Sequence, residues 1–365
     1  MLDVVGNDMT LQLGVVIVTY NSADVILPCL ETLLGAHDVA LRIVVVDNAS
    51  FDETPALIRD WAAGNIKVTL SDLPFAATPV PKPVMLYPDL TVCTDQREHT
   101  IMLLQTGTNL GFAGGVNRGL EALATLDSVN RFWVLNPDSV VPPATPAAFA
   151  LQEEPARGFS LMGGRVLYLD NPDMIQIDGG TVDRRTGITG NLGLYRAHAD
   201  TPPADPAAMD FITGASMVAS RAFYESVGPM REDYFLYYEE VDWAMRRGDL
   251  PLAYCADAIV YHQGGSAIGS ATHNRPASPF ALYFKHRSRM MFLRRFWPAS
   301  RITAHAWTLA KAAQFAAKGF GLEARALLAG SFGLPAPAAV RARLSPATLH
   351  RIFGTTPSAK GTADV

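Results

Sequence analysis

Regular patterning begins at "LGVVIVTYN", residues 13–21, a short β-branched run that ends in polar residues. A run of this length and composition predicts a buried strand. "SADVILPCLETLLGA" follows with Val25, Leu27, Leu30, Leu33 and Leu34 at helical spacing, a Ser/Asp start and a Gly stop. "LRIVVVDNAS" predicts a second buried strand and "FDETPALIRDWAAGN" a second helix ending at Gly64. Strand, helix, strand, helix at this spacing predicts a mostly parallel α/β sheet flanked by helices. Residues 67–100 break the rhythm: the stretch is Pro-rich and aperiodic, and reads as an insertion. The rhythm resumes with "TIMLLQTG" as strand, "GFAGGVNRGLEALATL" as a Gly-led helix and "RFWVLNPDSVV" as strand. Residues 151–210 are turn-rich. "DFITGASMVASRAFYESVG" predicts a strand and a helix, and "LAYCADAIVYHQGG" a late strand. From about residue 280 the chain reads as helical and basic, then Ala/Pro-rich and loose. The organisation expected is an α/β domain over 11–275 and a helical C-terminal extension over 276–365.

Composition adds two points. Of 365 residues, 49% are hydrophobic and 18% charged, a globular balance that excludes disordered and fibrous classes. The three cysteines, Cys29, Cys93 and Cys255, are far apart and fit buried thiols in a reducing cytoplasm better than a disulfide or zinc framework. The start lacks the basic and apolar regions of a secretion signal, and no stretch has the uninterrupted apolar length of a transmembrane helix. Charge is unevenly distributed. No acidic residue lies between Asp257 and Glu323, so the net −5 is +9 there and −14 elsewhere. Such a segment suits an anionic partner, whether membrane surface, lipid phosphate or nucleic acid, or is simply a solvated basic face.

Candidate chemistry collects at the predicted strand ends, where open α/β sheets bind ligands. Thr19, Tyr20 and Asn21 follow the first strand, Asp47 and Asn48 the second, and Asn136 and Asp138 a later one. A ring and a carboxylate there suit a base and a ribose; the alternative is that Asp47 and Asn48 cap a turn. A dinucleotide-dependent oxidoreductase is disfavoured, because the first strand-to-helix turn, "TYNSADV", contains no glycine. Asp138 alone suffices for Mg²⁺ or Mn²⁺ when a diphosphate supplies further oxygens, and His262 in "VYHQGG" is a second candidate ligand; the alternatives are a turn aspartate and a buried histidine. "YFLYYEEVDWAMRRG", residues 234–248, sets Glu239, Glu240 and Asp242 behind a wall of aromatics. Helical spacing places Glu239 and Asp242 on one face and Glu240 on another, with Asp242 and Arg246 an i,i+4 pair. Acids in a first turn are favoured by the helix dipole, while aromatic walls raise a carboxylate toward a useful general base.

Taken in order, "VVIVTYNS", "IVVVDNASFDET", "NLGFAGGVNRGL", "VLNPDS", "FITGASMVASRAFYESVG", "YFLYYEEVDWAMR" and "AIVYHQGGS" resemble the family 2 inverting nucleotide-sugar glycosyltransferases. The likeness is greatest to bacterial rhamnosyltransferases of the cell envelope. It covers residues 13–297. The resemblance implies a GT-A fold, a divalent cation and a nucleotide-sugar donor such as dTDP-rhamnose. It also implies a glycan or polyprenyl-diphosphate-linked acceptor and a cytoplasmic protein at the inner face of the membrane, with no nucleic-acid partner. Carried over, it assigns Tyr20 and Asp47 to the base and ribose, and Gly111 and Asn117 to the nucleotide side. Asp138 and His262 go to the metal, Gly214 and Ala215 to the floor near the acceptor, and Glu240 to the catalytic base. Asp242 is a second acid of that motif, with Glu239 and Trp243 beside the substrate. The base position holds Glu where Asp is usual, and the metal motif is a single-acid "NPD". A catalytically silent nucleotide-sugar binder is the alternative.

Overall fold

The structure, a computed structural model, describes residues 11–92, 97–264 and 277–354. Cys93, Arg275, the domain boundary expected at 275/276 and the loose end expected beyond 354 lie outside the described residues. The N-terminal half alternates as expected: β1 (Gln12–Thr19), α1 (Ile26–Leu34), β2 (Ala40–Asp47), α2 (Thr54–Ala62), β3 (Leu86–Tyr87), β4 (Thr100–Gln105), α3 (Gly111–Ala124) and β5 (Arg131–Leu135). Next come β6 (Ser139–Val140), α4 (Thr145–Leu151), β7 (Leu161–Tyr168), β8 (Ile175–Ile177), β9 (Gly179–Val182), β10 (Thr189–Leu192), β11 (Ser216–Ser220) and α5 (Arg221–Val227). The chain continues through α6 (Glu239–Met245) and β12 (Ala253–His262) to α7 (Pro279–Phe296), α8 (Arg301–Ala317), α9 (Gly321–Phe332), α10 (Ala338–Arg341) and α11 (Pro346–Phe353).

The main sheet runs β3-β4-β2-β1-β5-β11-β7-β12-β6, with β8 beside β7. Strands β3, β4, β2, β1 and β5 are parallel, β11 is antiparallel to both its neighbours, and β7 and β12 are again parallel. The fold is therefore a mixed, mostly parallel sheet flanked by helices. Strand order reverses on either side of β1, which opens a crevice between β1 and β5 at their carboxyl ends. Register places Thr19 beside Asp47 and Ile17 beside Leu135, so the residues after β1, β2 and β5 share that edge.

Both faces of the sheet are covered, which explains why β1 and β2 read as unbroken apolar runs rather than alternating ones. Val15 and Ile17 face α1 and α2; Val16 faces α3. Small residues of "GFAGGVNRG" let α3 lie close: a Cβ on Gly119 would sit 2.4 Å from Val16 and one on Gly115 2.6 Å from Val18. The 67–100 excursion contributes edge strand β3 to the sheet, a pairing that two residues cannot signal by periodicity. It is fastened by buried Glu31, which accepts from Trp61 Nε1, the Val80 amide and Lys82 Nζ at 2.5, 2.7 and 2.8 Å.

At the C-terminal end, Met290, Phe292 and Leu293 of α7 enter the core beneath the sheet, while Phe280, Tyr283 and Phe284 join α9, α10 and the following turn in a third cluster. The basic interval does not form one outward face. Arg294, Arg295 and Lys318 are exposed, but Arg289 is fully buried and Arg287 donates to the Asp233 and Tyr234 carbonyls. Among the described residues no helix is long and apolar enough to cross a membrane.

Gly111 is the tightest junction between the parallel half and the α6 region. Its φ is +79°, and a Cβ would lie 2.4 Å from the Phe235 carbonyl oxygen. Gly111→Ala is expected to cost about 2 kcal/mol or more from the left-handed backbone and the clash together. Urea unfolding checks this; an unchanged midpoint would show that the junction yields without cost.

Candidate active site

The rim at the carboxyl ends of β1 and β2 is built from two stitched loops. Thr19, fully buried, donates to Asp47 Oδ1 at 3.2 Å, and Asp47 Oδ2 accepts from the Ser50 amide. Asn21 holds a left-handed φ of +52°; its amide donates to Ser50 Oγ and its side chain accepts from the Phe51 amide at 3.0 Å. Tyr20 stands half-buried beside them, edge-on to the exposed Phe51 ring. Asn48 ties the next loop in: it donates to the Gly111 carbonyl at 2.9 Å and accepts from the Leu110 amide at 2.9 Å. These contacts fix Tyr20 and Asp47 at one rim of the crevice before any ligand arrives.

At the end of β12, His262 is clamped from both sides. Nδ1 lies 2.7 Å from Gln176 Oε1 on β8, while Nε2 lies 3.0 Å from Asp138 Oδ1 and 3.2 Å from Asn136 Nδ2. With Nδ1–H donating to the Gln176 carbonyl, neutral imidazole turns the lone pair of Nε2 toward a carboxylate oxygen. A proton or a cation is needed between them. One imidazole and one carboxylate are a partial donor set of the type that Mn²⁺ accepts, and it leaves the remaining positions to diphosphate oxygens or water. Among the described residues no group of three or more His, Cys, Asp or Glu gathers to hold a metal by itself.

Next to this pair an open cavity is lined by His262, Gln176, Thr213, Ala215, Glu240 and Lys285, among others. Glu240 enters it from the first turn of α6. That turn follows Phe235, Tyr237 and Tyr238, all with φ between 65° and 70°, a conformation that costs bulky side chains about 1–3 kcal/mol each. The three acids of α6 meet three different environments. Asp242, fully buried, accepts from Arg246 Nε at 2.8 Å and Tyr234 Oη at 3.0 Å, with Arg295 at 3.4 Å. Glu239 is 3% exposed and its Oε2 has no partner. Burial, reinforced by Glu240, pushes its pKa well above the ordinary glutamate value. Glu240 is half-buried, and its Oε2 also lacks a partner. Burial raises its pKa, against the pull of backbone amides at the helix start and of Lys285.

The structure brings Tyr20, Asp47, Asn136, Asp138 and His262 to one sheet edge, and Ala215 and Glu240 to the cavity beside it. Three residues expected at the substrate lie elsewhere. Asn117 is spent on the Met230 backbone, donating to its carbonyl and accepting from its amide at 2.9 Å each. Trp243 is fully buried against Phe223 and donates to the Gly228 carbonyl, because its position on α6 faces the core. Gly111 serves the Phe235 junction, whereas Gly214, beside the Phe112 ring, lies between the cavity-lining Thr213 and Ala215. Asp242 and Glu239 share an inward face as the helical spacing predicts, and neither lines the cavity. Gln176 and Lys285 were missed. Gln176 comes from the turn-rich 151–210 stretch, and Lys285 reads in sequence as one more charge of the basic run.

These environments predict opposite stability effects. Asp242→Asn strands two arginines and is expected to cost roughly 3 kcal/mol. Glu239→Gln should raise the melting temperature at neutral pH. Its raised pKa means that the folded state holds the proton more tightly than the unfolded state, so wild-type stability falls as pH rises above the unfolded value of about 4.3. The gain from Glu239→Gln should vanish below that pH. Melting curves across pH check both; a destabilised Glu239→Gln at neutral pH would refute the unpaired-acid account.

Comparison with known proteins agrees with this geometry. Residues 14–75, which carry the Tyr20 and Asp47 loops, match the model of "Glycosyl transferase family 2". The chain is 24% identical over 295 residues to the low-salt glycan biosynthesis hexosyltransferase Agl10 of Haloferax volcanii, covering 77% of this chain and 75% of that protein. It is 26% identical over 238 residues to the succinoglycan biosynthesis protein ExoO of Rhizobium meliloti, covering 64% of this chain and 52% of that one. The fold is similar to GalNAc-T7, solved with UDP, GalNAc and Mn²⁺, at a TM-score of 0.52 and 12% identity, covering 82% of this chain and about half (51%) of that one. With the family 2 model matched over residues 14–75, a hexosyltransferase relative over most of its length and a GT-A-like fold, the chain is a glycosyltransferase.

Proposed function

We propose that the protein transfers a hexose, with rhamnose from dTDP-rhamnose the best candidate, from a nucleotide diphosphate to a glycan or lipid-linked acceptor, with inversion at the anomeric carbon. The observation that carries this reading is Glu240: a half-buried carboxylate with an unpartnered oxygen, in a cavity that ends at the Asp138–His262 pair. Tyr20 and Asp47 stand where a base and ribose would be held, on the rim of the same crevice.

In the proposed single displacement, Glu240 takes the proton from an acceptor hydroxyl. The oxygen forms a bond to the anomeric carbon as the bond to the nucleotide diphosphate breaks on the opposite face. A raised proton affinity suits a base of this kind. Asp138 and His262 would hold the divalent cation, which when bound supplies neutralising charge to the departing diphosphate. Gln176 orients His262, and Asn136 steadies it from the other side.

Membrane attachment is part of the proposal, through a narrower surface than the basic interval as a whole. On α8 the exposed positions Ile302, Ala306, Leu309 and Ala313 recur at helical spacing, with Ile302 79% and Leu309 54% exposed. Leu322 and Phe332 on α9 are exposed as well, and Lys318 lies between the two helices. An apolar stripe flanked by cations suits a helix lying in an anionic interface.

Two predictions follow from the site and its surface. Glu240→Gln should lower kcat by about 10²–10⁴-fold with little change in donor affinity. The acid limb of the wild-type pH profile should lie above the ordinary glutamate range, because the base must lose its proton and burial raises its pKa. Asp138→Ala should abolish cation-dependent turnover while leaving the melting temperature nearly unchanged. Normal turnover by Glu240→Gln would remove it as the base, and full activity in excess chelator would remove the cation. For the surface, the protein should pellet with anionic vesicles at low salt and be released at high salt, and Leu309→Asp should weaken pelleting. Equal pelleting with neutral vesicles would leave only the apolar stripe in play.

A further inference from the structure

Helix α7 carries positive charge inward, and the cavity does not balance it. Lys285 lines the cavity with Glu240, yet among the described residues no carboxylate oxygen comes within 4.0 Å of its Nζ. One turn further on, Arg289 is fully buried without a carboxylate partner. Its Nη2 donates to Thr308 Oγ1 at 2.5 Å, whereas Nε and Nη1 have no acceptor. His286, 4% exposed, also has an unpartnered Nδ1. Facing these groups from α6 and the turn before it are Tyr238, whose hydroxyl is engaged with the Gly187 carbonyl, and Glu240. Glu239 is the remaining acid nearby, and its burial favours the neutral form. Two cations against one carboxylate leave an uncompensated positive charge at the wall of a cavity, a costly arrangement unless an anion completes it.

The geometry points to Lys285 as the binding residue for a phosphate group of the acceptor, held next to the hydroxyl that Glu240 deprotonates. This deepens the glycosyl-transfer reading and rests on it for the word acceptor. Lys285 belongs to the acceptor side because it lines the same cavity as Glu240, the carboxylate that acts on it electrostatically. Burial lowers the lysine's own pKa, and an incoming phosphate would act against that shift. Arg289, too deep to touch the ligand, adds its field through the wall and acts as a positioning residue. A phosphate ester fits two cations in file better than a single carboxylate does, since it carries more charge and more acceptor oxygens.

The test uses the full chain in excess chelator, so that the cation side is silent, with inorganic phosphate as the probe in a calorimetric titration. Wild type and Asp138→Ala should bind phosphate equally. Lys285→Gln should bind about ten-fold more weakly or worse, as expected for one lost charge-assisted contact, while Lys285→Arg retains binding. An unaltered melting temperature for Lys285→Gln shows that the loss is local. Phosphate binding that is absent in wild type, or equal in Lys285→Gln, overturns the proposal, as does tighter binding of acetate than of phosphate. Competition by a polyprenyl phosphate in micelles against a free sugar 1-phosphate separates a lipid-linked source from a phosphorylated glycan. Nucleotide-sugar hydrolysis by the wild type, with the divalent cation restored and water as acceptor, tests the transfer reading separately; no hydrolysis, with phosphate binding intact, would sink the transfer reading and leave the phosphate site standing.

Discussion

The Phe112 amide donates to the Phe235 carbonyl at 3.0 Å, across a gap that only a residue without a side chain leaves open. This crossing, together with the Asn117 bonds to the Met230 backbone, joins the parallel half of the molecule to the α6 half. Gly111 turns left-handed to make it, and Phe235, Tyr237 and Tyr238 turn left-handed on the other side. The strain is offset from α7, where Ser288 Oγ donates to the Leu236 carbonyl at 2.9 Å, and from Asn117, which holds the Met230 backbone upstream. The position of Glu240 relative to the Asp138–His262 pair is therefore set by backbone contacts of the turn before α6 and by the backbone amides at the helix start. One oxygen of that carboxylate, Oε2, is left without a partner at the cavity.

Three acids within four residues show how far local sequence is from local chemistry. Asp242 and Glu239 share the inward face of α6, but one meets Arg246 and Arg295 and the other meets backbone amides and no cation. Paired, the carboxylate is a structural anion; unpaired, it is held close to neutrality by burial. Only Glu240, turned toward the cavity, combines partial exposure with a raised pKa. The ion pair of Asp242 also explains why two arginines remain near the end of α6 without forming a basic patch.

The parallel half was readable because its strands are buried on both faces and its helices are amphipathic, so periodicity reports topology directly. The same legibility extended to Asp47, Asp138 and His262, each placed at a strand end by its own strand. It failed where long-range packing decides. Asn117 sits in a Gly-rich motif that looks like ligand-binding sequence, yet the glycines serve helix-to-strand contact and the asparagine serves the 230–232 turn. Trp243 and Glu240 are three residues apart in one short helix, and sequence spacing separates their directions without saying which faces the core. Gln176 carries no periodic signal at all, since its strand is three residues long and its role depends on pairing with β7.

Lys285 is the clearest case of a charge whose meaning changes with depth. Counted along the chain, it belongs to an acid-free interval that suggests a surface; in the fold, Arg289 is buried and Lys285 faces a cavity. A protein of net charge −5 thus concentrates positive charge at the wall of the cavity that Glu240 and His262 line. The outer side of the same helical region presents Ile302 and Leu309 instead of a continuous basic face. The two surfaces divide the work that the sequence assigns to one: the interior cations suit phosphate, and the exterior stripe suits the hydrocarbon boundary beside it. An acceptor whose phosphate lies close to a lipid chain would satisfy both with a single molecule, which is why the separation of these two sets of residues on α7 and α8 bears more on substrate class than the total charge does.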